Sequence, residues 1–304
     1  MQKYLLLIPL FLAFGIAPAL WAQTSVASWD QSIQARGPHK DENGVIEYEI
    51  QSEYQPGWQR VRVLLPHEIG PGKKYPVLYI LPVETDLKEK RWGSGIEEAR
   101  KLDLADKYGY ICVAPVFAQT PWFADHPSDP SVRQESDILN AIIPFVEHTF
   151  PASTDSSDRL LIGFSKSGYG AFSLLLRHPD KFGCAAAWDS PLSKESPDKW
   201  GMDKIYGTQE NFDKYKFAPL LKSSAEELRR NSARRLIVLG YGIFPEDIRQ
   251  AEKELQDLQV PNVYANDTKR QHSWSSGWME EAVRDLAACH DDLHHAPATQ
   301  TAAH

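Results

Sequence analysis

The segment Leu160-Leu161-Ile162-Gly163-Phe164-Ser165-Lys166-Ser167-Gly168-Tyr169-Gly170-Ala171 runs from an apolar stretch through small residues into a helical pattern. A serine at such a junction sits on a tight strand-to-helix turn, with its hydroxyl presented at the strand end, the arrangement of a nucleophile elbow. The turn crowds the positions two before and two after the serine, so both must be small. Gly163 meets the first requirement, and Ser167 meets the second where glycine is usual. Ser167 is the poorer nucleophile candidate, because Tyr169 would then occupy the crowded position after it. The chemistry indicated is acyl transfer, with Ser165 as nucleophile.

A lone hydroxyl needs a base, and the base needs a third group to orient it. Elbow-bearing hydrolases carry these in the order serine, acid, histidine, so the base belongs in a loop after the last strand. His272, in Lys269-Arg270-Gln271-His272-Ser273-Trp274, stands there, just ahead of the closing helix. His126 and His148 precede the elbow and His178 directly follows its helix, which suits surface or packing roles. Two acids have equal weight. Asp189 directly follows the apolar run ending at Trp188 and is tightly positioned by it. Asp247 lies in the more frequent location beyond the next strand, but also in a first helical turn, where the helix dipole alone explains an aspartate.

Acyl transfer also needs backbone N–H donors for the developing oxyanion. One is expected at Lys166, after the nucleophile. The other is expected at Val83 or Glu84 in the loop after the third strand, since Pro82 has no N–H. The Lys166 side chain suits either an acidic substrate or a surface salt bridge. Trp122, Tyr169, Trp188 and Trp274 gather at the predicted strand-end face. Packing explains part of this aromatic content, and the rest suggests a wall for aryl, acyl or sugar groups.

These residues need a framework that brings strand ends together. Val45–Gln51 and Gln59–Leu65 alternate in part and are expected as half-exposed antiparallel strands. Tyr75–Pro82 is nearly continuously apolar, as in a strand covered on both faces. Helix is expected over Ile96–Tyr108, strand over Tyr110–Val116, and helix over Gln134–Phe150 with a kink at Pro144. Strand over Leu160–Phe164, helix over Tyr169–Arg177 and strand over Phe182–Trp188 follow. Pro191–Arg234 breaks the alternation and is expected as short helices over an edge or the site. Strand over Arg235–Leu239, helix over Glu246–Leu258, a short strand over Asn262–Ala265 and helix over Gly277–Ala288 complete the pattern. The result is an α/β domain with a mostly parallel, eight-stranded sheet and helices on both faces.

The 304 residues carry a net charge of −8, with no dense basic run, which argues against nucleic acid or an anionic membrane surface as partner. At 42% apolar content the chain can bury a substantial core. Lys3, the apolar stretch Tyr4–Ala19 and the small residue Ala22 form the pattern of a cleaved secretory signal over residues 1–22. A polar leader over 23–44 follows, the folded domain spans 45–290, and 291–304 is expected to be a disordered tail. The odd cysteine count of three gives no disulfide framework, with Cys112 and Cys184 in apolar strands. The tail Cys289-His290-Asp291-Asp292-Leu293-His294-His295 is expected to fray. No metal or other cofactor is assigned.

With Val61-Arg62-Val63-Leu64-Leu65-Pro66, Tyr75-Pro76-Val77-Leu78-Tyr79-Ile80-Leu81, Ile143-Pro144-Phe145-Val146-Glu147, the elbow, and His272-Ser273-Trp274 followed by Trp278, the chain resembles the esterase D-like branch of the α/β-hydrolases. This branch includes S-formylglutathione hydrolases, feruloyl and enterochelin esterases, and mycolyltransferases. The likeness extends over roughly residues 45 to 290. It implies an α/β-hydrolase fold and a Ser-His-acid hydrolase with Ser165 and His272 in their motif positions. It fixes neither the acid nor the ester. The expected function is an exported, secreted or periplasmic, serine esterase acting on a small-molecule or carbohydrate ester through an acyl-enzyme, without a membrane anchor after signal cleavage. Acyl transfer to an alcohol at the same site and a non-catalytic binding protein on the same fold are the alternatives.

Overall fold

The computed structural model describes residues 33–85, 91–230, 233–240, 242–266 and 269–295. The expected signal segment, residues 1–22, lies outside the described residues. Nine strands form one sheet: β1 Gln34–Lys40, β2 Ile46–Gln51, β3 Gln59–Leu64, β4 Val77–Ile80, β5 Ile111–Pro115, β6 Arg159–Phe164, β7 Cys184–Trp188, β8 Leu236–Gly240 and β9 Asn262–Asn266. Their spatial order is β1-β2-β3-β5-β4-β6-β7-β8-β9. The first four in space pair antiparallel, and every pairing from β5 through β9 is parallel.

The sequence pattern indicates eight strands, and the ninth is β1, inside the expected polar leader. Its side chains are nearly all exposed, so it has no apolar alternation to reveal it, and it is held by backbone pairing with β2.

The helices are α1 Gly95–Lys101, α2 Leu104–Tyr108, α3 Gln134–Asp137, α4 Ile143–Thr149, α5 Lys166–Arg177, α6 Met202–Tyr206, α7 Gln209–Asp213, α8 Phe217–Arg230, α9 Pro245–Asp257 and α10 Trp278–His295. The helix expected over 96–108 divides at Asp103, whose φ of 54° leaves the helical region. The helix expected over 134–150 does not run straight to Pro144. A π-turn over Ile138–Ile142 joins α3 to α4 and puts Pro144 in the first turn of α4, where its missing N–H costs nothing. α10 extends through His295 into the expected disordered tail, of which 296–304 lie outside the described residues. No helix among the described residues is long and apolar enough to cross a membrane.

Alternation along the central strands divides the core into two layers. Val77, Tyr79, Leu161, Ala185 and Ala187 face one layer; Leu78, Ile80, Leu160, Ile162, Cys184, Ala186 and Trp188 face the other. The small residues of β7 let α5 approach from one side and α10 from the other. Cys184 faces α10 and forms a disulfide with Cys289, against the expectation that three cysteines give no disulfide framework. Cys112 remains a buried free thiol, pushed up to about 12 by burial.

Candidate active site

β6 ends at Phe164, Ser165 turns with φ 53° and ψ −129°, and α5 begins at Lys166. A non-glycine residue in this conformation stores of order 1–3 kcal/mol of strain, which the surroundings must hold. The Ser165 N–H donates to Trp188 O at 3.0 Å and Asp189 O at 3.2 Å, and Ser190 Oγ donates to Ser165 O at 2.8 Å. A Cβ at Gly163 would lie 2.4 Å from the Ser167 backbone, so only glycine fits there. Ser167 does more than stay small. Its hydroxyl accepts from Phe164 N at 3.0 Å and donates to Phe164 O at 2.9 Å, closing the turn at the strand end.

The β6–β7 register pairs Phe164 with Trp188, so Ser165 and Asp189 leave adjacent parallel strands side by side at their C-terminal ends. Asp189 is fully buried. A buried carboxylate requires donors, and this one has three. Ile243 N donates to Oδ2 at 2.8 Å, Phe244 N donates to Oδ1 at 2.7 Å, and His272 Nδ1 lies 2.5 Å from Oδ2. Gly242 permits the approach, because a Cβ there would lie 2.0 Å from Oδ2.

Asp247, the other acid candidate, accepts from Ser193 N at 2.9 Å and Ser193 Oγ at 2.6 Å in the first turn of α9. It tethers the chain after β7 and is not brought to His272.

His272 is held edge-on against Phe164 and Trp92, each with ring centroids 4.9 Å away, and lies near Phe244 and Trp188. Its segment is fixed by Trp274 N donating to Trp92 O and by Trp278 Nε1 donating to Ser273 O. With Nδ1 on Asp189, Nε2 is the nitrogen left for proton exchange. His178, by contrast, bonds Glu135 at 2.6 Å.

The loop after β4 carries Val83 and Glu84. Glu84 Oε2 lies 3.1 Å from Lys166 Nζ, and both side chains are largely buried. The Lys166 side chain is therefore turned to this loop, where the sequence left open an acidic substrate or a surface salt bridge. A small cleft, open to solvent, lies beside this loop and includes Val83, Glu84, Trp92 and Trp274 in its lining.

The four aromatic residues expected as a substrate wall are at most 2% exposed. Trp188 stacks on Trp278, Tyr169 donates from its hydroxyl to Tyr215 O, and Trp122 donates from Nε1 to Trp200 O. Trp122, Tyr169 and Trp188 are thus packing residues, because helices from the 191–234 stretch and α10 cover them; Trp274 alone of the four lines the cleft. Among the described residues, Trp92 and Phe244 reach solvent beside His272, and Trp200, 47% exposed, lies edge-on to Phe244. Trp92 and Trp200 carry no sequence signal, since each stands in a polar loop.

A family model described as "Putative esterase" matches residues 52–262. Among solved structures, a ferulic acid esterase aligns at 18% identity with a TM-score of 0.65, covering 85% of this chain and 99% of that one. FphF, a fluorophosphonate-binding serine hydrolase of Staphylococcus aureus, aligns at 17% identity with a TM-score of 0.65, covering 81% and 98%. An S-formylglutathione hydrolase from Agrobacterium tumefaciens aligns at 16% with a TM-score of 0.63, covering 84% and 99%. These likenesses are of fold: the α/β-hydrolase architecture, here with a nine-stranded, mostly parallel sheet.

Proposed function

The chain belongs to the "Putative esterase" family of carboxylic-ester hydrolases, and on that premise we propose that it is an exported serine esterase with a Ser165–His272–Asp189 triad. Ser165 Oγ attacks the ester carbonyl while His272 Nε2 takes its proton. The tetrahedral oxyanion is met by the backbone N–H of Lys166 and by that of Val83 or Glu84. The bond to the alcohol breaks as His272 returns the proton to the leaving oxygen, which leaves an acyl group on Ser165. Water then attacks this acyl group through the same base, the acid is released, and the proton returns to Ser165. Asp189 holds the imidazole orientation and stabilises the imidazolium.

The observation that carries this reading is the buried Asp189 carboxylate, bonded to His272 Nδ1 at the strand end beside the Ser165 elbow. Export rests on the signal pattern of residues 1–22 and is supported by the Cys184–Cys289 disulfide, a bond that persists in oxidising compartments. The half-exposed rings of Trp92 and Phe244 suit a small-molecule or carbohydrate ester with an apolar or aromatic part.

The test is intact mass after incubation with a fluorophosphonate, the reagent class for which the structural neighbour FphF is described. One adduct on the wild type, absent from Ser165→Ala, is expected, together with loss of ester hydrolysis. A folded wild type that takes no adduct would overturn the reading in favour of a binding protein. Ester products formed on adding an alcohol acceptor, in place of free acid, would replace hydrolysis with acyl transfer.

A further inference from the structure

Away from the triad, the last turns of α10 carry two histidines at a ligand spacing. His290 and His294 are four residues apart, so they share one helical face, with ring centroids 4.5 Å apart. Both Nε2 atoms point at one oxygen of Asp158: His290 Nε2 lies 2.6 Å from Oδ1 and His294 Nε2 lies 2.8 Å from it. Asp158 comes from a different part of the chain, the 3-10 turn Ser156–Asp158 that leads into β6.

The three side chains are pre-positioned. The Asp155 side chain accepts from Ser157 N at 2.9 Å and fixes the turn that carries Asp158. The disulfide at Cys289 ties α10 to β7 one residue before His290. Tyr110 lies edge-on to the His290 ring. Asp291 Oδ1 lies 3.8 Å from His290 Nδ1, close to that ring but beyond hydrogen-bond distance. Ser157 Oγ, 3.2 Å from His294 Nε2, adds an oxygen at the edge of the group.

We propose that Asp158, His290 and His294 form a binding site for a divalent transition metal of the zinc type, which fastens the C-terminal helix to the turn ahead of the nucleophile strand. Two imidazole nitrogens and one carboxylate oxygen match the borderline-soft donor set of zinc and leave a fourth position for water. Tetrahedral bonds of about 2.0–2.1 Å place ligand atoms about 3.3 Å apart. The cation therefore needs Asp158 to withdraw by roughly half an ångström and replaces the two Nε2 protons that otherwise bridge to Oδ1. Calcium and magnesium, which demand more oxygens, fit poorly. Among the described residues, the other group with metal-ligand types, His67 with Asp103 and Asp106, is exposed and has one nitrogen.

The experiment is calorimetric titration of chelator-treated full chain, without a polyhistidine tag, with Zn2+ and then with Mg2+. One equivalent of Zn2+ is expected on the wild type and on His67→Ala, with a raised Tm, and no binding of Mg2+. His290→Gln and His294→Gln keep an amide donor for Asp158, and so keep α10 docked, but remove the imidazole ligand. Each is expected to weaken Zn2+ binding by more than the roughly 10–100-fold that loss of an outer-shell partner costs. Asp158→Asn is expected to do the same. Co2+ in place of Zn2+ is expected to give visible d–d absorption that both histidine variants lose. A wild type that binds no Zn2+, or variants that retain the wild-type stoichiometry and affinity, would overturn the proposal; loss of binding in His67→Ala alone would transfer it to the exposed group. The fluorophosphonate adduct at Ser165 is unaffected in every arm.

Discussion

Which carboxylate faces His272 decides the chemistry at the scale of single residues. Asp189 is buried with three donors, whereas both contacts of Asp247 are to Ser193. Asp189→Asn is expected to lower kcat by about 10³–10⁴, because the amide no longer holds the Nδ1–H tautomer of His272, with little change in KM. Asp247→Asn is expected to stay within about twofold in kcat and to cost about 1 kcal/mol in stability, through weaker bonds to Ser193 and the loss of charge at the start of α9. Steady-state hydrolysis of a chromogenic ester, with a denaturant melt for each variant, checks both. The strand-to-helix turn at Ser165 and the loop position of His272 are legible in the sequence because local turn chemistry and chain order define them. The acid is not, since both aspartates follow apolar runs and only tertiary placement of Ile243 N, Phe244 N and the side-chain-free Gly242 distinguishes them. Lys166 and Glu84 form the other residue-scale link. Their ion pair joins the elbow to the loop proposed to carry the second oxyanion donor. Glu84→Gln removes the carboxylate that meets a largely buried ammonium and lets that loop shift, so a kcat loss of about tenfold is expected with KM nearly constant. Lys166→Met with Glu84→Gln is expected to recover stability but not kcat, which stopped-flow acylation and thermal melts resolve.

Element by element, legibility follows burial. β4, β6, β7 and β8 are covered on both faces, so their apolar runs stand out in the sequence. β1 has no such run, and the last two turns of α10 are polar. That helix continues because His290 and His294 meet Asp158, a contact 132 and 136 residues away in sequence that no local pattern announces. Between α3 and α4 the chain resolves the Pro144 constraint with a π-turn, and the residue ahead of that turn is Asp137, fully buried and accepting from Ser52 Oγ at 2.6 Å. Burial pushes its carboxyl up to about 7, with the Ser52 hydroxyl opposing and Asp125 adding to the rise. Folded Asp137 thus holds its proton over a range where the unfolded chain, titrating near about 3.9, has lost it. Stability attributable to this group falls as pH rises from about 4 to about 7 and is level beyond. Asp137→Asn removes that dependence. A gain of up to about 4 kcal/mol at pH 8, shrinking to none near pH 4, is expected in chemical denaturation run across that range.

Across the whole molecule, one strand connects the fold's covalent tie to its chemistry. β7 begins at Cys184, bonded to Cys289 on α10, and is followed directly by Asp189. The cross-link spans 105 residues and encloses β8, α9, β9 and the His272 segment. Closing a loop of that size removes unfolded-state entropy of about 4–5 kcal/mol, and losing such a native disulfide costs about 2–5 kcal/mol. The tie is at the opposite end of β7 from the acid, and the intervening Ala185, Ala186, Ala187 and Trp188 are held by ladder bonds to β6 and β8 and packed by α5 and α10. Its contribution is therefore to hold the C-terminal helix on the sheet, while the position of Asp189 is set by the loop after β8. Cys184→Ala with Cys289→Ala is expected to lower the denaturation midpoint by that 2–5 kcal/mol and to leave kcat within about twofold at a temperature where the variant is folded. Cys112 is spared as a complication, because burial keeps its thiol protonated and out of exchange. Parallel measurement of the denaturation midpoint and ester kcat, with and without reductant on the wild type, separates the two effects. A kcat that falls with the midpoint in the folded variant would mean that strain passes along β7 to Asp189, and that the ladder on either side does not isolate the acid from the disulfide.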